Sequence, residues 1–435
     1  MKNIDVLWFV EHISRELDVV CAATHYLKKD NHHTVEIIPF QHKDLALLSR
    51  LYNPKILVIP YCYSVYDSGI SEIITKFREP IYFNLYWEQI LYRANISYKA
   101  PHDLFAQKYV LHHAWSKKNA DYFKRKYRIP GGHIFINGQP AYKLYEEPYS
   151  HLYPSKEALA KRYKLDPKRL WLFFPENFSW AFYSLNQLKQ IIKFGQDEKA
   201  ALEMRDYCQK VFSQVMKWFK EASYCPVEII LRPRPAIAKE NFIKAVKETI
   251  GTLPSNLFIT DELSVREWIM RADLVISSFS TSLIEASIAH KPIYMVVPEK
   301  IPEPLWTDWY KYIPKLMTRD DFLNVCCGRK IDYSGIKLGE WAKKEFMANG
   351  DPIINLASYM DGLLKKRRRP VLKLNSKIIR ESYFSLPKQL LFYLFIRNLS
   401  GKLREIFSPH KQFVLDKYFE SEVKRRMGIY KRILE

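Results

Sequence analysis

The 435-residue chain is too long for one ordinary domain and suits two plus an appendage. Its hydrophobic share of 48% and charged share of 26% exclude global disorder, and 29 Tyr and 25 Phe against 13 Gly exclude a flexible, low-complexity chain. The net charge of +21 is concentrated at one end: residues 361–435 hold 19 Lys/Arg against 7 Asp/Glu, so a polyanion or an anionic membrane surface is the expected neighbour of that tail.

The N-terminus, MKNIDVLWFVEH, has one Lys and a short apolar run broken by Glu11 and His12. It reads as a first strand rather than a signal peptide. Strands are predicted over 4–10, 34–40, 56–61, 81–85, 108–112 and 133–136. Helical periodicity over 15–29 runs through Leu17, Val20, Ala23 and Leu27. Strand–helix alternation of this kind implies a parallel sheet covered on both faces. Residues 146–168 are polar, carry three prolines and one short helical stretch, and predict an interdomain connection. A second series follows, with strands over 170–174, 227–231, 257–260, 274–277 and 292–296. Helices near 184–221, 239–250, 263–271 and 281–290 separate them. Residues 338–364 read as closing helices that cross back to the first domain. After KKRRRP (365–370) the composition shifts, and the apolar run 385–399 has cationic flanks. That run is short of the roughly 18 residues of a membrane span but suits a helix lying at a membrane surface. Packing against the first domain would suit it as well.

The six cysteines (Cys21, Cys62, Cys208, Cys225, Cys326 and Cys327) include no CxxC pair. Buried free thiols in a reducing compartment fit them better than zinc or a disulfide framework.

Two stretches carry the chemistry. The first is ITDELSVREWIMRADLVISSFSTSLIEASIAHKPIYMVVP (259–298). Here a strand leads through the hydroxyl-rich SSFSTS into a helix. Ser280, Thr281 and Ser282 at such a helix start suit a phosphate, because N–H donors point outward and the helix dipole favours an anion. Glu285, one turn in, could accept from ribose hydroxyls. A plain Ser/Thr cap explains the same residues. The second stretch, EIILRPRPAI (228–237), is a strand ending in two arginines held by prolines. Arg232 and Arg234 there suit phosphate, since ligands of open α/β sheets bind beyond the C-terminal strand ends. A solvated turn with chance arginines is the alternative.

Together these stretches resemble the nucleotide half of the GT-B glycosyltransferases that build capsules and surface polysaccharides. They also resemble the related Kdo-, sialyl- and CDP-glycerol glycerophosphate-transferring families. Those families carry an Arg-Pro-His-Pro strand end and a Ser-…-Trp-…-Ala-Asp-…-Ser-Thr-…-Glu-Ala segment followed by Lys-Pro. This chain has Arg232-Pro233-Arg234-Pro235, Ser264, Trp268, Ala272-Asp273, Ser280-Thr281, Glu285-Ala286 and Lys291-Pro292. Arg234 stands where His is usual: a phosphate contact survives that change, and a neutral-imidazole role does not. FVEHISRELD (9–18) resembles the Val-Glu-…-Arg-Glu-Leu-Asp opening of surface-carbohydrate biosynthesis proteins, and 115–145 resembles their helix, strand and Gly-x-Pro ending.

The resemblance implies an α/β GT-B fold of two facing Rossmann-like domains with a basic helical C-terminal extension. The expected division is an acceptor domain over 1–145, a linker over 146–168, a nucleotide-sugar-binding domain over 169–337, closing helices over 338–364 and a basic, membrane-associated tail over 365–435. The implied activity is transfer of a sugar from a nucleotide-activated donor to a glycan or lipid-linked glycan acceptor of capsule or lipopolysaccharide. Transfer of a polyol phosphate from a CDP-activated donor is one alternative, and a non-catalytic membrane-associated scaffold with a degenerate nucleotide site is another. Asn177, after the first strand of the second domain, joins the donor-site candidates. Arg15 and Glu16 are expected at the acceptor cleft. Glu88, in NLYWEQI (84–90), is the first candidate for the base an inverting transferase needs, with Glu11 and His12 next. A surface or ion-paired carboxylate explains Glu88 too.

No Asp-x-Asp follows a first-domain strand, and cations with a helix N-terminus can neutralise a leaving phosphate, so neither a metal nor another cofactor is expected. No P-loop occurs, and no recognition fold accompanies the basic run, so nucleic acid is not an expected partner. The expected location is cytoplasmic, at the inner face of the membrane.

Overall fold

The computed structural model describes residues 1–435 apart from 41–44, 66, 68, 78, 97–98, 194, 235–236, 330–334, 348 and 367–418, and only the backbone of 46. The chain divides into two compact units. The first takes in Met1–Gln89, Lys99–Leu144 and Glu345–Glu435; the second takes in Ile90–Tyr98 and Tyr145–Lys344.

The first unit is built on six strands: β1 (Lys2–Val10), β2 (Val35–Pro39), β3 (Tyr52–Ile59), β4 (Ile81–Asn84), β5 (Val110–Ala114) and β6 (Ile134–Ile136). Their order is β2-β1-β3-β4-β5-β6, and every pairing is parallel. Apolar side chains fill both faces: along β1 residues Val6–Val10 are covered on both sides, and β4 is buried throughout. This is the burial that parallel strands under helices require. The chain leaves β1 in one direction and β3 in the other, which places a topological switch point between β1 and β3.

The second unit repeats the plan with β7 (Leu170–Pro175), β8 (Val227–Arg232), β9 (Leu257–Ile259), β10 (Leu274–Ser277), β11 (Ile293–Val296) and β12 (Lys315–Leu316). Its order is β12-β11-β10-β7-β8-β9, again all parallel. This is the dinucleotide-fold order, with its switch point between β7 and β10. Trp268 stacks on Phe173 and meets Trp171 at a tilt, each at a ring separation of 6.4 Å.

Residues 146–168 contain a short helix, Lys156–Tyr163, and fall within the second unit. Arg271 fastens this stretch by donating to the carbonyls of Tyr153 and Pro154. Several expectations need revision. The single helix expected over 184–221 is two, Leu185–Lys193 and Glu198–Glu221. The break falls where Gly195 takes φ 105° and Asp197 caps the second helix by accepting from Ala200 N–H at 2.8 Å. The two-residue β12 has too short a pattern to read from sequence. Cys225 and Cys327 are joined as a disulfide, contrary to the all-thiol expectation, while Cys21, Cys62, Cys208 and Cys326 are buried free thiols.

The closing helices are Ile336–Phe346 and Pro352–Lys365, and the chain re-enters the first unit at Glu345. Gly138 marks the docking point. Its φ of 98° and its position against Phe346 leave no room for a Cβ, which would strike the Phe346 carbonyl. The neighbouring Gln139 N–H donates to that carbonyl at 2.9 Å, and the Asn137 amide donates to Pro352 O at 2.7 Å. The helix Phe419–Leu434 also belongs to the first unit. It packs on the helix Ile13–Asn31 through buried Phe419 and Tyr430 and an Arg426–Asp18 ion pair at 2.5 Å. The apolar run 385–399 and the basic run beyond Lys366 lie outside the described residues. Among the described residues no helix is long and apolar enough to cross a membrane.

Candidate functional site

Each unit gathers polar side chains beyond the C-terminal ends of its strands, next to its own switch point. In the first unit β1 ends at Val10 and delivers Glu11 and His12, and the first turn of Ile13–Asn31 delivers Arg15 and Glu16. The segment after β3 delivers Pro60, Tyr61 and Tyr63, and the segment after β4 delivers Trp87 and Glu88. With Lys99 they line a pocket of about 210 Å³, beneath which Glu16 is fully buried. That volume is below the roughly 300 Å³ at which sites for drug-sized ligands begin and suits one small polar ring.

The turn after β4 is what aims Glu88. Asn84 accepts from Tyr86 N–H at 3.0 Å, and Tyr86 takes the left-handed φ of 50°. That conformation costs a bulky residue on the order of 1 kcal/mol or more. Gln89 holds it by donating to the carbonyls of Tyr86 (3.1 Å) and His113 (2.8 Å), while its own oxygen accepts from Trp115 N–H at 2.9 Å.

One guanidinium organises the pocket. Arg15 reaches Glu16 at 2.6 Å, Glu11 at 2.9 Å and Glu88 at 3.1 Å. Glu88 takes a second cation, Lys99, at 2.5 Å. Glu16 also accepts from Glu11 N–H at 2.9 Å, and His12 Nε2 lies 3.5 Å from the Glu11 carboxylate. Burial pushes the Glu16 carboxyl up to about 7 against the pull of Arg15, and burial likewise raises Glu11. The three carboxylates in turn hold Arg15 above its ordinary value although burial acts the other way.

A pH dependence follows with a definite sign. A carboxyl raised in the folded state favours folding below its unfolded value near 4.5, and that contribution is lost as pH rises to about 7. Glu16→Gln is therefore expected to gain melting temperature over the wild type as pH rises from 4.5 to 7, with no further gain above. Melting curves across pH 4–8 check this; a gap that stays constant contradicts it.

In the second unit β7 delivers Glu176 and Asn177, β8 delivers Arg232 and Arg234, and β10 delivers the small residues 278–280 ahead of the helix Ser282–Ile288. The two arginines separate. Arg232 is turned inward, donating to the carbonyls of Leu263 (2.8 Å) and Asp261 (3.4 Å), and burial pushes its pKa down to about 10. It braces the 261–263 loop. Arg234 is exposed. Its N–H donates to the buried Glu176 carboxylate at 2.8 Å, and its guanidinium donates to Asn177 Oδ1 at 2.5 Å. Glu176 also accepts from Phe178 N–H at 2.5 Å, so one carboxylate sets the geometry of two strand ends. Burial raises the Glu176 carboxyl.

Ser280 accepts from Ser282 N–H at 3.2 Å and lies 3.1 Å from the Ser282 hydroxyl. Thr281 makes no side-chain cap bond to the helix. Glu285 accepts from the Tyr145 hydroxyl at 2.7 Å and feels the Arg266 charge, while burial raises its carboxyl. Thus Glu11, His12, Arg15, Glu16 and Glu88 meet in one unit. Asn177, Arg234 and the Ser280–Ser282 turn occupy neighbouring strand ends of the other, with Arg232 beneath and Glu285 one turn along the helix.

Sequence reasoning missed Tyr61, Tyr63, Trp87, Lys99, Tyr92, Tyr145 and Glu176. Glu176 directly follows β7 and Tyr61 lies two residues beyond β3, so both were findable from the rule that ligands bind beyond the C-terminal strand ends. Lys99 and Tyr145 join partners 11 and 140 positions away and have no local signal. Among the described residues no group of three or more His, Cys, Asp or Glu is placed to hold a metal ion.

Two parallel sheets of this kind define the GT-B class of fold. Solved structures with it include the wall teichoic acid polymerase TagF in crystals soaked with CDPG, at TM-score 0.53 and 9% identity, covering 83% of this chain and 89% of that one. A protein of Listeria monocytogenes assigned as a UDP-N-acetylglucosamine 2-epimerase matches at TM-score 0.51 and 11% identity, covering 85% and 99%. Identities this low show a shared fold. No protein-family model matches the chain, and no curated protein matches it.

Proposed function

We propose that the protein transfers a sugar from a nucleotide-activated donor to a glycan or lipid-linked glycan of a bacterial surface polysaccharide. The observation that carries this reading is the second unit's switch point. There an exposed arginine, an amide and a turn of small hydroxyl residues converge on three adjacent strand ends. Arg234 and the backbone N–H groups at Ser280–Ser282 would meet the donor's diphosphate, as preorganised donors that stabilise charge on a leaving phosphate. Glu285, oriented by Tyr145, would accept from donor hydroxyls. Arg232 supports the adjoining loop instead of touching the phosphate. No metal is required in this scheme.

The first-unit pocket would take the acceptor ring against Tyr61, Tyr63 and Trp87. Both Glu88 oxygens are engaged by cations. His12, half-buried on the pocket wall and oriented by Glu11, is therefore the better base for the acceptor hydroxyl, with Glu88 positioning it. The basic C-terminal region would hold the protein at the inner face of an anionic membrane, where lipid-linked acceptors reside.

A second reading is polyol-phosphate transfer from a CDP-activated donor. It is favoured by the fold shared with TagF, a teichoic acid polymerase whose crystals were soaked with CDPG. Nucleotide release separates the two readings from inactivity. With the right donor and acceptor, wild type is expected to release UDP or GDP, or CMP with a bare sugar added to the acceptor, in the first reading. In the second it releases CMP with a polyol phosphate added to the acceptor, so the mass of the acceptor product decides where CMP is released. Arg234→Ala should lose about 10²–10³-fold of that turnover, the scale of one lost oxyanion-type donor. Full turnover in that variant contradicts the site assignment.

A further inference from the structure

Residues Ile90–Tyr98 follow β4 in sequence yet belong to the second unit, whereas their flanks Gln89 and Lys99 belong to the first. Within the second unit Tyr92 enters the nucleotide half-site. Its hydroxyl donates to Phe279 O at 2.9 Å and accepts from Asn177 Nδ2 at 2.8 Å. Its ring meets Phe279 edge-on at 5.7 Å. The next residue, Arg93, is ion-paired to Glu303.

The direction of these bonds matters. An Asn amide has one accepting end and one donating end. Asn177 can accept from Arg234 only if its oxygen faces the guanidinium, which turns its NH2 toward Tyr92. A phenol that donates to a backbone carbonyl keeps its lone pairs for that NH2. The carbonyl of Phe279 thus fixes the Tyr92 hydroxyl, the hydroxyl fixes the amide, and the amide fixes Arg234. The same NH2 also reaches Phe279 O, but at 3.4 Å, a long bond that holds it weakly; without the hydroxyl the amide is freer to rotate and turn its NH2 on the arginine, where two donors meet.

We propose that Tyr92 is a positioning residue of the nucleotide half-site, setting the Asn177 amide that orients Arg234. The flanks of its segment in the first unit are tied to each other, since Glu88, just before Gln89, is ion-paired to Lys99. The part of this inference that concerns the nucleotide rests on the transferase reading above; the tie that the Tyr92 hydroxyl makes to Phe279 O, which also orders the 278–283 turn, does not.

The test uses the full chain. Hydrogen exchange of the free protein compares wild type with Tyr92→Phe. The expected result is about tenfold faster exchange in the 278–283 turn, with β10 and β7 unchanged, as for one lost buried hydrogen-bond partner. Unchanged exchange overturns the proposal. Calorimetric titration with UDP, CDP, CMP and GDP then reads the site. For a nucleotide that binds wild type, Tyr92→Phe should raise Kd about tenfold. Asn177→Ala should raise it by a similar factor, and the double variant by no more than Asn177→Ala alone. Arg93→Ala, which loosens the same segment without touching Asn177, should stay within about twofold. Additive losses in the double variant, or an equal loss in Arg93→Ala, overturn the positioning role. If none of the four nucleotides binds wild type, the transferase reading fails, and the exchange comparison alone decides whether Tyr92 orders the turn.

Discussion

Replacing Arg15 with Met is expected to destabilise the first unit more than any other change in its pocket. The guanidinium stands among Glu11, Glu16 and Glu88, at 2.6–3.1 Å from each. Glu16 is fully buried while Arg15, Glu11 and Glu88 are partly exposed, so removing the guanidinium strands one buried carboxyl and loosens two screened ones, a loss of about 2–3 kcal/mol. For a unit of this size each kcal/mol lowers Tm by roughly 2–4 °C, so a fall on the order of 4–12 °C is expected. The loss should also depend on pH. Glu16 already titrates near 7 because of burial, and without Arg15 it and Glu11 would hold their protons to still higher pH. At pH 5 Glu16 is neutral and its share of the penalty is relieved; at pH 8 that share is felt in full. Adding Glu16→Gln should restore part of the loss at pH 8. An equal Tm fall at both pH values would show that Arg15 acts through packing rather than charge.

The second large effect lies at the C-terminus. Arg426 and Asp18 are both buried, and their 2.5 Å contact joins the helix Phe419–Leu434 to the helix Ile13–Asn31. Glu422 supports Arg426 from one turn away at 3.3 Å. Arg426→Met leaves Asp18 buried without its cation, a loss of about 3–5 kcal/mol. The cost can be avoided by undocking the terminal helix, so the expected signature is local: proteolysis within 419–434 well below the global transition. Asp18→Asn combined with Arg426→Met should regain much of the loss, because a neutral amide does not strand a charge. Wild-type protection in Arg426→Met would mean that Phe419 and Tyr430 hold the helix by themselves. The outcome bears on function, since the docked helix packs on the element whose first turn carries Arg15 and Glu16.

The sheets were legible because parallel strands buried on both faces read as apolar runs. Val6–Val10, Ile81–Asn84 and Leu274–Ser277 announce themselves. The strand ends that carry Glu11, Glu88, Asn177, Arg234 and Ser280 were legible for the same reason. What a side chain does beyond a strand end was not. Arg232 and Arg234 stand two positions apart on a strand end and look equivalent as letters, yet one is drawn inward by the carbonyls of Asp261 and Leu263 and the other faces outward. Alternation along an extended chain would put residues two apart on one face, but the strand ends at Arg232, so the path of the chain beyond it and the neighbouring loop decide where each guanidinium goes. Glu88 read as a lone carboxylate; its two cations come from positions 15 and 99 and have no signature near 88. The disulfide joins residues 102 positions apart and carries no spacing signal.

The central claim is that the second unit's switch point binds the phosphates of a nucleotide. Thermal melting with UDP, CDP, CMP and GDP tests it most directly, because a ligand that binds only the native state raises Tm by mass action. At about 100 times Kd the stabilisation is about 2.7 kcal/mol, readily seen as a shift of several degrees. At least one of the four is expected to raise Tm in wild type and to lose that shift in Arg234→Ala. No shift with any of them, or an undiminished shift in Arg234→Ala, would contradict the account.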